Sequence, residues 1–125
     1  MAALFTQAIY EGFVHEATPQ YTDPRLSALL GTAEKFQFQV RTCQASGTQP
    51  SLTVAFEESN DGVSFQTRTT LLSTQSLDST KNEDFFAADT ATTPMSRYGR
   101  LKVTLGSQQS DGGAHVFVIV TGHSD

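Results

Sequence analysis

The sequence predicts an all-β protein with a single, jelly-roll-like antiparallel β-sandwich. Residues 51–59 (SLTVAFEES) and 63–72 (VSFQTRTTLL) alternate apolar and polar side chains around Asn60-Asp61-Gly62, whose residues tolerate the positive φ of a hairpin turn. Further short segments show the same alternation, and no segment shows a comparable helical periodicity. Polar turns separate these segments at short intervals, which is typical of sandwiches.

The N-terminal region, residues 1–24, is predicted to form an extended arm and a loop, and the sandwich domain is predicted to span residues 25–125. Residues 4–14 hold β-forming side chains without clean alternation, and residues 17–24 contain two prolines that cannot continue a ladder of backbone hydrogen bonds. We expect the apolar side chains of the arm to dock against a partner subunit. These side chains are Leu4, Phe5, Ile9, Tyr10, Phe13 and Val14.

The middle of the chain predicts a meander of three strands. Residues 35–43 alternate strictly between apolar and polar side chains, and residues 45–50 (ASGTQP) connect them to the hairpin described above. Residues 35–72 are therefore expected to pair as neighbours in one sheet. Before them, residues 25–30 suit either a short helical turn or an extended segment.

The last third of the chain completes the sandwich. A polar connection over residues 73–94 is expected to hold one short strand near residues 84–88, and residues 97–105 alternate again. Residues 114–121 (AHVFVIVT) form a nearly continuous β-branched run. Such a run is typical of a strand buried on both faces, which predicts either a central strand or one that a partner covers.

Composition excludes several classes of function. The chain has 125 residues with thirteen acidic and eight basic side chains, a net charge of -5, so a nucleic-acid partner is not expected. No apolar stretch reaches the length that spans a bilayer, and the N-terminus lacks the pattern of a signal peptide, so we expect a soluble protein without a membrane partner. The single cysteine, Cys43, favours assembly in a reducing cytoplasm.

No constellation of residues indicates catalysis. The sequence has no nucleophile elbow, no phosphate-binding glycine loop and no carboxylate pair beside an aromatic subsite. Glu57, Glu58, Asn60 and Asp61 offer oxygen ligands of the kind that calcium prefers, but the turn itself requires its Asn-Asp-Gly sequence. We therefore expect neither an enzyme nor a cofactor, and no metal site.

Two segments resemble discoidin-like, galactose-binding-type jelly rolls. Residues 54–67 (VAFEESNDGVSFQT) are similar to the strand-turn-strand signature of that family, and residues 96–103 (SRYGRLKV) are similar to its later strand. The chain also looks like the small β-sandwich proteins encoded among tailed-phage head genes. The segments that carry this likeness are DPRLSALLG, FQFQV, SLTVAFEESNDG and YGRLKVTL. The first resemblance implies a jelly roll that binds carbohydrate. The second implies a protein that decorates or cements a capsid.

We therefore predict a non-enzymatic virion structural protein, assembled in the host cytoplasm, that decorates or stabilises a phage capsid. Its partners would be a capsid or other virion protein and further copies of itself. The basic face formed by Tyr98, Arg100 and Lys102 would contact an acidic partner or a neighbouring copy.

The alternative is a carbohydrate-binding, discoidin-like module. Aromatic side chains at one end of the sandwich would then stack on a sugar ring. The candidates are Tyr21, Phe65, Phe85 and Phe86.

Overall fold

The structure, a computed structural model, describes residues 2–14, 20–22, 35–46, 51–77, 82–89, 96–106 and 113–124. The strands in these residues are β1 (Ala2–Val14), β2 (Gln20–Tyr21), β3 (Lys35–Ser46), β4 (Ser51–Ser59), β5 (Gln66–Ser76), β6 (Glu83–Asp89), β7 (Tyr98–Gly106) and β8 (Gly113–Ser124). None of the described residues belongs to a helix that is long and apolar enough to cross a membrane.

The strands form two four-stranded sheets. Sheet A has the order β1-β8-β3-β6, and sheet B has the order β2-β7-β4-β5. Every pairing is antiparallel. The predicted all-β, jelly-roll-like sandwich is therefore confirmed.

The core lies between the two sheets because successive side chains of a strand point to opposite faces. Phe38 of β3 and Phe56 of β4 are fully buried and meet across the core, with their ring centroids 6.1 Å apart. The buried apolar cluster comprises Val14, Phe36, Phe38, Val40, Leu52, Val54, Phe56, Leu71, Leu72, Leu77, Leu101, Val103, Leu105, Ala114, Val116, Val118 and Val120.

The structure corrects the expectation of an arm for residues 2–14. β1 pairs with β8 from Ala2↔Ser124 to Val14↔Ala114, and Val14 is buried in the core. Phe5, Ile9 and Tyr10 also pack against the core in part. Strand pairing satisfies the backbone hydrogen bonds of the segment, and the apolar side chains that we assigned to a partner are partly buried within this chain. The side chains of Leu4 and Phe13 lie outside the described part of the chain.

The predicted three-stranded meander is also corrected. β4 and β5 form the expected hairpin, but β3 lies in sheet A between β8 and β6. Two amphipathic strands in opposite sheets can bury their apolar faces against each other, as Phe38 and Phe56 do. Alternation in the sequence shows that each strand has an apolar face and does not show which sheet it joins. Residues 25–30 lie outside the described residues.

The C-terminal strand occupies the predicted central place. β8 lies between β1 and β3, and the short strand expected near residues 84–88 is β6. The burial of β8 alternates, however, because Val116 and Val118 are fully buried while Phe117 and Ile119 are half-buried. Within the chain, the second face of β8 is the outer face of sheet A, so the central position is confirmed and a partner on that face stays a prediction.

Candidate functional site

The outer face of sheet B carries a polar groove. It lies across β4, β5 and β7, on the side of the sheet away from the core, and it has a volume of about 330 Å³. Side chains of these strands alternate, so that those next to the buried apolar residues project into the groove. The groove is lined by Thr53, Ala55, Glu57, Thr67, Thr70, Ser73, Lys102 and Thr104.

Beside this groove, one guanidinium group contacts two aromatic rings. The Cζ atom of Arg100 is 4.0 Å from the ring centroid of Tyr21 and 3.8 Å from that of Phe65. Both distances are within the range of cation–π attraction. Arg100 Nε also donates a hydrogen bond of 2.9 Å to Oε1 of Glu57, its partner in the β4–β7 register. We call Tyr21, Phe65, Glu57 and Arg100 the Arg100 clamp.

Two positive groups at this site keep unused donors. Within the described residues, Nε is the only nitrogen of Arg100 with a hydrogen-bond partner, so Nη1 and Nη2 are free. The ammonium group of Lys102 has no hydrogen-bond or ion-pair partner in that same part of the chain. Arg100 and Lys102 are two residues apart on β7 and share its outer face, which places them roughly 7 Å apart along the strand.

The turn between β4 and β5 is built around Asp61. Its Oδ1 accepts hydrogen bonds from the backbone amides of Val63 and Ser64 and from Ser59 Oγ, at 2.7 to 2.9 Å. The bonds from the Ser64 and Val63 amides, and then the bond from Ser59, lower the pKa of Asp61 to about 2.

Gly62 follows with φ 77°, as the Asn-Asp-Gly sequence predicts. The expected strand residue Val63 lies instead in this loop and is 82% exposed, and β5 begins only at Gln66.

The acidic residues near the turn bind within the chain. Glu57 pairs with Arg100, and Oε1 of Glu58 accepts hydrogen bonds from Arg68 Nη1 at 3.2 Å and from the amide of Ser96 at 3.1 Å. These glutamate oxygens, which suggested ligands for calcium, therefore accept hydrogen bonds within the chain. No three His, Cys, Asp or Glu residues of the described part are grouped to hold a metal ion.

The structure brings together some of the predicted site residues and separates others. Tyr98, Arg100 and Lys102 lie on one face of β7, and Tyr21 and Phe65 contact Arg100. Phe85 and Phe86 lie on β6 in the other sheet. These two side chains divide between the faces of sheet A, because Phe85 packs against the core whereas Phe86 is 63% exposed.

Sequence reasoning missed the hydroxyl-bearing wall of the groove. The threonines at positions 53, 67, 70 and 104 are scattered along three strands, and only the register of β4 with β5 and β7 places them together. The available signal was the alternation of outward-facing residues, Thr53 and Thr104 among them, with buried apolar residues along β4 and β7. The bond between Glu57 and Arg100 within one chain also depends on this register.

No protein-family model matches the sequence, and no curated protein matches it with significance. Among solved structures, the chain is similar to the CBM22-1 xylan-binding domain from Paenibacillus barcinonensis Xyn10C. The identity is 11% and the TM-score 0.58, over 99% of this chain and 97% of that one. The chain therefore shares a jelly-roll β-sandwich fold with this domain.

Two further structures are more distant. The first is that of Bacillus endospore appendages, a family of disulfide-linked pili, with 11% identity and a TM-score of 0.49 over 97% of this chain and 88% of that one. The second contains the CBM22-1 and GH10 modules of Clostridium thermocellum xylanase 10B complexed with xylohexaose. It has 10% identity and a TM-score of 0.48, over 96% of this chain and 26% of that one.

Proposed function

We propose that this chain is a non-enzymatic structural protein of a virion, which decorates or stabilises a capsid through protein–protein contacts. The outer edge of β1, which no other described strand covers, is the single observation that carries the proposal. A capsid or other virion protein would supply the partner segment, and the mature location would be the virion. The resemblance to small tailed-phage sandwich proteins is what directs the proposal to a capsid.

The β1 edge lacks most of the devices that protect sheet edges. β1 is thirteen residues long and pairs with β8 on one side, while no described strand covers its other side. Natural edge strands are protected by lysines, prolines, bulges or short length. β1 has no lysine or proline, and Glu11 is its only charged residue.

Two register shifts, between Ala3 and Phe5 and between Ala8 and Tyr10, leave regular stretches at residues 5–8 and 10–14. An extended partner segment can add to such an edge through backbone hydrogen bonds. Each contact would be modest, but a capsid repeats its sites, and several linked contacts bind far more tightly than one.

A charged side chain on the edge tests this contact without removing the strand. Ala8 on β1 and Ala88 on β6 are both exposed residues on the two opposite edges of sheet A. Ala8→Lys and Ala88→Lys are therefore matched variants, with the same change in charge and volume. Each would be expressed during phage assembly, and its copy number on purified particles would be measured by quantitative mass spectrometry.

We expect Ala8→Lys to lower the number of copies on particles at least about tenfold, because the lysine blocks strand addition. Ala88→Lys should bind like the unchanged chain. Circular dichroism would verify that both variants fold. Equal occupancy of the two variants would exclude the β1 edge as the contact. Absence of the unchanged chain from purified particles would exclude the virion role.

Carbohydrate binding is the second candidate function, and the groove on sheet B favours it. The groove is lined largely by hydroxyl groups, and beside it the ring of Tyr21 is 47% exposed. Sugar hydroxyls can exchange hydrogen bonds with such a wall, and a pyranose ring can pack on an aromatic face. The similar CBM22-1 domain is a xylan-binding domain.

A glycan array, followed by calorimetry with the best ligand, tests this candidate. Tyr21→Ala should abolish saturable binding, whereas Phe86→Ala, which removes an exposed ring from sheet A, should leave binding unchanged. Loss of binding in Phe86→Ala alone would move the site to sheet A. No saturable binding by the unchanged chain would remove the candidate.

A further inference from the structure

We infer that the groove on sheet B selects saccharides that carry carboxylate groups, such as chains of uronic acid, and that Arg100 and Lys102 bind the carboxylates. The inference rests on the carbohydrate-binding candidate and adds the class of ligand. Two features of the site carry it: free donors on both cations, and a hydroxyl-bearing wall beside them.

The Arg100 clamp holds a guanidinium group ready for an anion. The rings of Tyr21 and Phe65 both pack against it and Glu57 holds Nε, so three contacts restrain the side chain before a ligand arrives. The two remaining nitrogens, Nη1 and Nη2, have no partner in the described part of the chain. A guanidinium fork matches the geometry of a carboxylate, and charge-assisted hydrogen bonds are stronger than neutral ones.

Lys102 adds a second positive group at the wall of the groove itself. Its ammonium group has no partner among the described residues, and it lies on the same face of β7 as Arg100. Glu57 offsets the charge of Arg100, so Arg100, Glu57 and Lys102 together carry one net positive charge. The whole protein has a net charge of -5. A cation without a partner among the described residues gives this face a local attraction for an anionic ligand.

The lining of the groove favours an acidic saccharide over an acidic peptide. Five of its eight residues, Thr53, Thr67, Thr70, Ser73 and Thr104, carry hydroxyl groups, and Ala55 is the only wholly apolar one. Many peptide-binding sites bury anchor side chains in apolar pockets, and the lining of this groove offers only Ala55 for such a contact. A saccharide presents hydroxyl groups along its whole length, which this wall can satisfy.

Hexagalacturonate and its methyl ester provide the test, because they share one sugar skeleton and differ in charge. Calorimetry with the full chain would use both ligands and a hexaglutamate peptide, at low and at physiological salt. Lys102→Gln removes a positive charge from the groove. Arg41→Gln is the matched control, because it removes a positive charge from the outer face of sheet A, away from the groove.

We expect the acid to bind about tenfold more tightly than the ester, with the difference shrinking as salt increases. Lys102→Gln should weaken binding of the acid about fivefold without affecting the ester, and Arg41→Gln should affect neither. Equal binding of acid and ester would overturn the inference while leaving the carbohydrate-binding candidate in place. Binding of neither saccharide would overturn both, and equal or tighter binding of hexaglutamate would show a site for acidic peptides instead.

Discussion

Arg68 of β5 and Asp89 of β6 form a buried ion pair that joins the two sheets. Nε of Arg68 donates to Oδ2 of Asp89 over 2.8 Å, and only 6% and 3% of the two side chains are exposed. β5 is an edge of sheet B and β6 is an edge of sheet A. Thr69 Oγ1 also donates to Asp89 Oδ2, at 2.6 Å. Burial alone would lower the pKa of Arg68, but its bonds to Asp89 and Glu58 outweigh burial and raise the pKa.

Replacing Arg68 should therefore destabilise the sandwich strongly. Arg68→Met removes the guanidinium partner of the buried Asp89 carboxylate, a change that costs about 3 kcal/mol or more. Arg41→Met is the control, because the Arg41–Asp84 pair is 50% and 35% exposed and solvent weakens such pairs, so its loss should destabilise the chain far less. Urea denaturation measures both free energies of unfolding. Similar losses in the two variants would contradict a special role for the buried pair.

The contact between Phe38 and Phe56 should be equally important to stability. Phe38→Ala removes a fully buried ring from the interface of the two sheets, and such truncations cost about 3–5 kcal/mol. Val63→Ala shortens a side chain that is 82% exposed and should change stability by less than about 0.5 kcal/mol. Thermal denaturation of both variants tests the expectation, and a small loss for Phe38→Ala would place this ring outside the stabilising core.

Gly62 should not tolerate a side chain. Its φ of 77° disfavours other residues, and an added Cβ would lie 3.3 Å from Cε2 of Tyr98. We expect Gly62→Ala to cost about 1–2 kcal/mol. At Gly12 an added Cβ meets only the movable hydroxyl end of Tyr10, at 3.1 Å, so Gly12→Ala should cost less. Chemical denaturation compares the two, and a larger loss at Gly12 would be the contrary result.

The hydrogen bonds to Asp61 should make the stability of the turn depend on pH. The pKa of this carboxyl group is lowered from 3.8 to about 2, so its stabilising effect is complete above pH 3.8 and is lost as the pH falls toward 2. The difference in Tm between the unchanged chain and Asp61→Ala should shrink over that interval. Carbon-13 NMR of the Asp61 carboxyl group reports the pKa directly. A midpoint near 4, or a Tm difference independent of pH, would contradict the assignment.

Part of the candidate site could be predicted from the sequence. Alternation along residues 97–105 places Tyr98, Arg100 and Lys102 on one face, because side-chain direction in a strand follows a period of two. The contacts of Arg100 could not be predicted in the same way. Glu57 is 43 residues away, and Phe65 and Tyr21 belong to other segments, so only the register of the strands brings them to the guanidinium group.

The sequence by itself determined that the chain is built of strands, where most of them run, which side chains face the core and where Gly62 turns the chain. These properties depend on residues close together in the chain. Only the tertiary structure decided that residues 2–14 join β8, that β3 lies in the sheet opposite β4, and that a hydroxyl-lined groove adjoins the Arg100 clamp. Strand partners are chosen by backbone hydrogen bonds, which every residue except proline can donate, and by the burial of whole faces against each other. The local pattern of the sequence therefore does not predict which strands pair or which faces meet.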